Sequence, residues 1–243
     1  MQYENFAYVY DLFMDVDYEA WTNYIEQTWK RHGAEPNLVC ELGCGTGNIT
    51  TRLSQKGYEM IGVDFSQDML SVAMQKQTNG ILYLNQDMRQ FELYGTVDSI
   101  ISICDSLNYI LTEDDLLAVF RLVHNYLNPD GLFLFDMNTL FKFQNTLANN
   151  DFCQTSDDIC YIWENFFNEK TYINEYFLNF FMQNENGQYD RFEEHHRQKA
   201  YSPEVVSTLL AKADMRLLST YDAFTFEPPT PTSERIFFVA KKL

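Results

Sequence analysis

From Asn37 onward, short apolar runs alternate with longer stretches in which apolar residues recur every three or four positions. The runs Leu38–Leu42, Glu59–Val63, Ile81–Leu84, Val97–Ile103 and Leu132–Phe135 are nearly continuous in Val, Ile, Leu and Phe, as strands covered on both faces are. Between them, Asn48–Lys56, Gln67–Gln77 and Glu113–Asn125 carry the helical period, the last with Thr112 as N-cap and Pro129-Asp130-Gly131 as a stop. Strand and helix in alternation predict an α/β protein with a doubly wound parallel sheet. Upstream, Phe6, Tyr10, Phe13, Trp21, Ile25 and Trp29 fall at roughly helical spacing within Tyr3–Arg31, which predicts one or two helices packed on that sheet.

After Asp136 the period drops to two. Cys160–Phe167, Tyr172–Met182 and Tyr189–His196 alternate aromatic with polar residues, and Asn186-Gly187 marks a hairpin turn between the last two. Residues 137–201 therefore read as an antiparallel insertion in a core made of residues 1–136 and 202–243. Ser202 and Pro203 open a helix reaching about Ala213, and Arg216–Phe226 and Arg235–Ala240 close the chain as strands.

The chemistry concentrates in Val39-Cys40-Glu41-Leu42-Gly43-Cys44-Gly45-Thr46-Gly47-Asn48, a strand that runs into a glycine-rich turn and then a helix. Glycine serves where backbone comes close to a ligand or takes positive φ. Dinucleotide-binding proteins place a related G-x-G-x-x-G at the same turn, but position 48 here is Asn. Glu41 also stands at the strand's carboxyl end, where a carboxylate would repel pyrophosphate and attract a ligand bearing an ammonium and a sulfonium. S-adenosylmethionine is such a ligand.

Glu41-Leu42-Gly43-Cys44-Gly45-Thr46-Gly47 resembles the E/D-x-G-x-G-x-G signature of the class I S-adenosylmethionine-dependent methyltransferases. The resemblance implies a seven-stranded Rossmann-like sheet, with the antiparallel β insertion on the substrate side and an N-terminal helical cap. It implies that Glu41, Gly43, Cys44 and Gly45 meet the cofactor, that Asp64 holds the ribose hydroxyls, and that Phe65 and Met69 flank the adenine. Asp87 and the Met88 backbone would meet the adenine amino edge. Ile103-Cys104-Asp105-Ser106-Leu107-Asn108-Tyr109 resembles the family's donor-methyl and substrate edge, with Cys104 in backbone contact. Tyr10 and Trp21 would close over the methionine part of the cofactor, and His195-His196-Arg197 through Tyr201 resembles the end of the substrate-side insertion.

Transfer from a sulfonium is an in-line displacement that asks for alignment, desolvation and, for a protonated acceptor, a base. The candidates for that chemistry are Asp105, His195, His196 and Tyr201; Asp105 stands as a substrate contact or a helix cap, and one of the two adjacent histidines faces a pocket if both lie on a strand. Cys44 and Cys104 read as small fillers rather than nucleophiles, and the aromatic insertion as hairpin core or as a substrate cage built from Tyr161, Trp163, Tyr172 and Tyr176.

Composition narrows the acceptor. A formal net charge of −18 disfavours a nucleic-acid or anionic-membrane partner, while 20 Phe and 16 Tyr supply an aromatic pocket, so a small-molecule substrate is expected. The five cysteines lack CxxC spacing and no metal site is expected; with no export signal or apolar span, the chain reads as cytoplasmic. The alternatives are a methyltransferase acting on RNA or protein, a nicotinamide-dependent oxidoreductase, and a protein that binds S-adenosylmethionine without turnover. Oligomeric state stays open.

Overall fold

The computed structural model of the chain describes residues 16–76, 80–155 and 159–243. Seven strands form the main sheet in the order β10-β11-β5-β4-β1-β2-β3. They are β1 (Leu38–Leu42), β2 (Glu59–Asp64), β3 (Ile81–Asn85), β4 (Val97–Ser102), β5 (Leu127–Asn138), β10 (Met215–Asp222) and β11 (Arg235–Lys242). β1 to β5 run parallel, and β11 pairs antiparallel with both β5 and β10. Strand order reverses between β1 and β4, so the carboxyl ends of these neighbours part and leave a crevice.

Helices cover both faces. On one lie α1 (Tyr18–Arg31) and α2 (Asn48–Gln55), whose Trp21, Ile25, Trp29, Ile49 and Leu53 pack with Val39, Ile101, Leu134 and Phe237. Asp17 caps α1 by accepting from the Ala20 N–H at 2.9 Å, and the Trp29 indole donates to Ser99 Oγ at 2.9 Å, so this buried ring is also satisfied. The half of the expected N-terminal cap that holds Tyr10 lies outside the described residues. On the other face lie α4 (Glu113–Tyr126) and α5 (Pro203–Lys212), whose Leu116, Phe120, Val206 and Leu210 meet Phe133, Phe135 and Phe238. Thr112 and Ser202 cap these two helices as expected, accepting from the Asp115 and Val205 N–H groups. α3 (Gln67–Gln75) follows β2. Among the described residues no helix is long and apolar enough to cross a membrane.

A second sheet has the order β6-β7-β8-β9, all antiparallel: β6 (Asp151–Thr155), β7 (Ile159–Asn168), β8 (Ile173–Gln183) and β9 (Tyr189–Lys199). The pairing puts Trp163, Tyr176, Phe180, His196 and Gln198 on one face and Phe166, Phe177 and His195 on the other. The first of these faces meets the main sheet: Phe180 packs with Met69 of α3, and Asn108 Nδ2 donates to the Lys199 carbonyl at 2.8 Å.

Two elements depart from the pattern read in the sequence. Pro129-Asp130-Gly131 does stop α4, but it lies inside β5 rather than ahead of it. Asp130 takes φ +65°, the register to β4 shifts between Val97 and Ser99, and Lys241 pairs with Asp130 at 2.7 Å, so the strand absorbs the turn as a bulge. β6 was hidden because four of its five residues are exposed and it is an edge strand, with no buried face to impose alternation.

Candidate active site

The glycine turn sits at the carboxyl end of β1. The Gly43 and Cys44 N–H groups both donate to the Val63 carbonyl, at 2.8 and 3.0 Å, which folds the turn over β2. Gly43 has φ +73°, and a Cβ there would lie 2.8 Å from the Ser106 Cβ, so only glycine lets the turn sit against the segment after β4. Gly45 also has positive φ, but its missing side chain would point into open space, which leaves the backbone bare on the crevice side.

Asp64 ends β2 and ties the crevice together. Its Oδ2 accepts from the Gly45 N–H at 2.7 Å and its Oδ1 from the Ser66 N–H at 2.8 Å. Burial raises its pKa and these backbone bonds oppose the rise. Each oxygen keeps a further lone pair, so the carboxylate can still accept from a vicinal diol. Beyond it, Phe65, Asn85, Gln86, Asp87, Gln90 and Glu92 line a groove of about 330 Å³. Phe65 is 77% exposed at its rim. Asp87 is engaged by Arg89, whose Nε lies 3.0 Å from both carboxylate oxygens and holds the group below the usual carboxylate range. Met88 approaches Gly43 on the inner side of the groove. An open glycine backbone, a carboxylate with spare lone pairs and the groove lined by Phe65, Asn85 and Asp87 are groups that could hold an adenosyl moiety.

Glu41 behaves differently from its reading in the sequence. It is 2% exposed, accepts the Thr50 hydroxyl of α2, and has its pKa pushed up to about 8, first by burial and further by the Asp64 charge. Burial thus opposes the charge that the sequence reading gave Glu41, and the side chain latches β1 to α2 beneath the turn.

Across the crevice, Cys104 and Asp105 follow β4 with φ of +59° and +54°, two consecutive non-glycine residues in left-handed backbone. Asp105 stands at the N-cap position of the turn Ser106–Tyr109 and its carbonyl accepts from the Asn108 N–H at 2.9 Å, but its side chain makes no cap hydrogen bond, so the carboxylate is free of a capping role. Its carboxylate instead accepts from Arg235 Nη2 at 2.7 Å and Gln198 Nε2 at 2.6 Å, and its N–H donates to Asp136 Oδ2 at 3.0 Å. Arg235 also pairs with Asp136, and its guanidinium lies 5.5 Å from the centre of the Trp21 ring. Burial alone would lower the Arg235 pKa, but Asp136 and Asp105 more than offset it, so the guanidinium is firmly charged. The sequence reading missed Arg235, Asp136 and Gln198. The available signals were the one acid inside the apolar run Leu132–Met137 and the one cation opening the run before Ile236.

His196 stacks on Tyr176 with ring centres 4.9 Å apart, and its Nδ1 lies 3.2 Å from the Tyr109 hydroxyl, itself 2.6 Å from that of Tyr176. Burial lowers the His196 pKa to about 4, so the ring is neutral and a hydrogen-bond partner rather than a strong base. His195 is on the opposite face, stacked on Phe177 and 48% exposed, and is not brought to the site. Tyr201 is a core residue: its hydroxyl donates to the Ile110 carbonyl at 2.7 Å and burial raises its pKa. Tyr201→Phe is expected to cost about 1 kcal/mol of stability and leave methyl transfer unchanged, which urea melts and a labelled-methyl assay together check. Of the aromatic cage, Trp163 and Tyr176 are neighbours at 5.7 Å on the inner face, whereas Tyr172 lies in the exposed β7–β8 turn. Burial raises the Cys44 and Cys104 thiol pKa values, so neither is an activated nucleophile. Among the described residues no group of three His, Cys, Asp or Glu side chains is set to hold a metal.

Comparison with known proteins converges on one chemistry. The methyltransferase domain family matches residues 39–131, from β1 into β5. Over all of this chain and 98% of the other, it is 37% identical to YqeM of Bacillus subtilis (strain 168), which is named as a methyltransferase with no acceptor stated. The solved structure of an S-adenosylmethionine-dependent methyltransferase from Clostridium acetobutylicum superposes with a TM-score of 0.90 at 33% identity, covering 99% of this chain and 98% of that one. The chain belongs to the S-adenosylmethionine-dependent methyltransferases. Over 52% of this methyltransferase and 54% of its relative, it is also 28% identical to the dTDP-3-amino-3,4,6-trideoxy-alpha-D-glucopyranose N,N-dimethyltransferase of Streptomyces venezuelae. S-adenosylmethionine is thus its cofactor, and the nicotinamide and non-enzymatic alternatives fall away.

Proposed function

We propose that this methyltransferase acts on a small-molecule acceptor held between the carboxyl ends of β4 and β5 and the inner face of the second sheet. The observation that carries this reading is the bond between Gln198 of β9 and Asp105 after β4, at 2.6 Å, which draws the second sheet down over the crevice on the acceptor side. A folded macromolecule needs an open approach to a crevice, and here a sheet lies across it. A net charge of −18 further opposes a polyanionic acceptor. The Streptomyces relative, whose named substrate is a nucleotide-linked amino sugar, is consistent with this size class.

S-adenosylmethionine, when bound, supplies a methyl group already activated on a sulfonium. We assign its adenosyl part to Asp64, the open backbone of Gly45, Phe65, Met69 and the Asp87–Met88 edge, with Trp21 and Glu41 shaping rather than charging the methionine end. The chain's remaining work is alignment and exclusion of water, which suits a site with a neutral His196, two hydrogen-bonded tyrosines and an Asp105 carboxylate held on two sides.

Incubating the protein with methyl-labelled S-adenosylmethionine and a bacterial extract, then separating metabolites, protein and RNA, tests the reading. Label in the metabolite fraction is the expected result; label confined to protein or RNA would exclude a small acceptor.

A further inference from the structure

We propose that Arg235 is a positioning residue for methyl transfer, acting through Asp105 and the backbone turn that carries it. The inference rests on the acceptor site being the one between β4, β5 and the second sheet. Arg235 opens β11, and its planar fork joins two carboxylates that belong to different strand ends: Asp136 on β5 and Asp105 after β4. Asp136 is wholly buried, and its other oxygen, Oδ1, accepts no hydrogen bond among the described residues, so its attachment rests on Arg235 and on the Asp105 N–H. Four structural pieces therefore meet at one residue, Asp105: β11 and the second sheet at its carboxylate through Arg235 and Gln198, β5 at its backbone N–H through Asp136, and the segment after β4 that carries it.

The backbone explains why such a brace is needed. Cys104 and Asp105 both take left-handed φ without being glycine, a conformation that persists only where the surroundings impose it. Ser106, next in line, is the residue against which Gly43 of the cofactor turn fits, and its hydroxyl lies between the Ile103 carbonyl at 2.8 Å and the Gly43 carbonyl at 3.3 Å. The strained turn thus touches the cofactor loop on one side and the acceptor side on the other. A planar guanidinium reaches both carboxylates at once, Asp136 through Nη1 and Asp105 through Nη2, which a lysine ammonium on a flexible stem does not do with the same fixed spacing. Both forks of Arg235 are already occupied, and Trp21 covers it, so it acts on the acceptor's position and not as an anion receptor.

The test compares wild type with Arg235→Lys and with the double variant Arg235→Met/Asp136→Asn, which removes the wholly buried Asp136 charge together with its partner and leaves the part-exposed Asp105 carboxylate held by Gln198 alone. Amide hydrogen exchange, read by mass spectrometry, is expected to speed up at least ~10-fold in residues 103–109 of the double variant while β4 keeps its protection. Calorimetric affinity for S-adenosylhomocysteine is expected to stay within about 3-fold of wild type. Total methyl transfer to an unfractionated bacterial extract is expected to fall at least ~100-fold in the double variant and ~10-fold or more in Arg235→Lys. Unchanged exchange in residues 103–109, or wild-type transfer by the double variant, overturns the proposal. So does loss of transfer, S-adenosylhomocysteine affinity and thermal stability in parallel, which is the mark of a purely structural residue. If the label lies in protein or RNA but shows the same Arg235 dependence, the small-acceptor reading fails and the positioning role stands.

Discussion

Asp64→Ala is expected to weaken binding of S-adenosylmethionine and S-adenosylhomocysteine alike by at least ~100-fold, since hydrogen bonds to a charged group contribute about 1.5–3 kcal/mol each and the carboxylate serves more than one. Two of its bonds are internal: Gly45 N–H to Oδ2 and Ser66 N–H to Oδ1. Without them the glycine turn loses its tie to β2, and α3 loses the support at its first turn. The remaining lone pairs are those we assign to the ribose hydroxyls. Asp64→Asn separates the two effects. An amide oxygen still accepts from one of the two N–H groups, but the amide nitrogen only donates, so one internal bond and at least one ribose bond are lost. We expect Asn to fall between Asp and Ala in calorimetry with both ligands, with thermal stability close to wild type. Wild-type affinity in the alanine variant would move the ribose away from the end of β2 and send the search to another acid along the groove.

What could be read before the structure, and what could not, divides by range. The glycine turn, the Thr112 and Ser202 caps and the hairpin at Asn186-Gly187 are local devices whose residues sit within a few positions of the groups they serve. The order of apolar runs likewise predicts the parallel core, because a strand covered on both faces has to be apolar throughout. The side we propose for the acceptor is built the other way. Arg235 reaches Asp105 across 130 positions and Gln198 reaches it across 93, and no spacing rule connects them. Asp136 was visible only as an acid out of place in an apolar strand, a position that needs a cationic partner. His195 and His196 show the limit of periodicity: alternation puts them on opposite faces, but only the pairing with Tyr176 and Phe177 decides which of the two looks inward.

Glu41 carries the second large effect, and its sign follows from burial. The folded protein raises its pKa from 4.5 to about 8, so between those values the folded state keeps a proton that the unfolded chain has released. Stability from this group is therefore greatest below the ordinary carboxylate pKa and declines as pH rises toward 8, where the decline levels off. Each tenfold change in proton affinity corresponds to about 1.4 kcal/mol, so the full effect is at most roughly 5 kcal/mol, and relaxation around the group makes about 2–4 kcal/mol the realistic expectation. Glu41→Gln keeps the shape of the protonated acid and can still accept the Thr50 hydroxyl, but it has no proton to lose. The variant should match wild type in urea melts at pH 5 within about 1 kcal/mol, and exceed it progressively up to pH 8. Parallel stability curves for the two proteins would show that Glu41 is ionised in the folded state. The same variant decides how the cofactor's positive charge is met. If Glu41 is a neutral latch under the turn, glutamine leaves the ratio of S-adenosylmethionine to S-adenosylhomocysteine affinities at neutral pH unchanged. If its charge were what selects a sulfonium, that ratio would fall, because only one of the two ligands carries one.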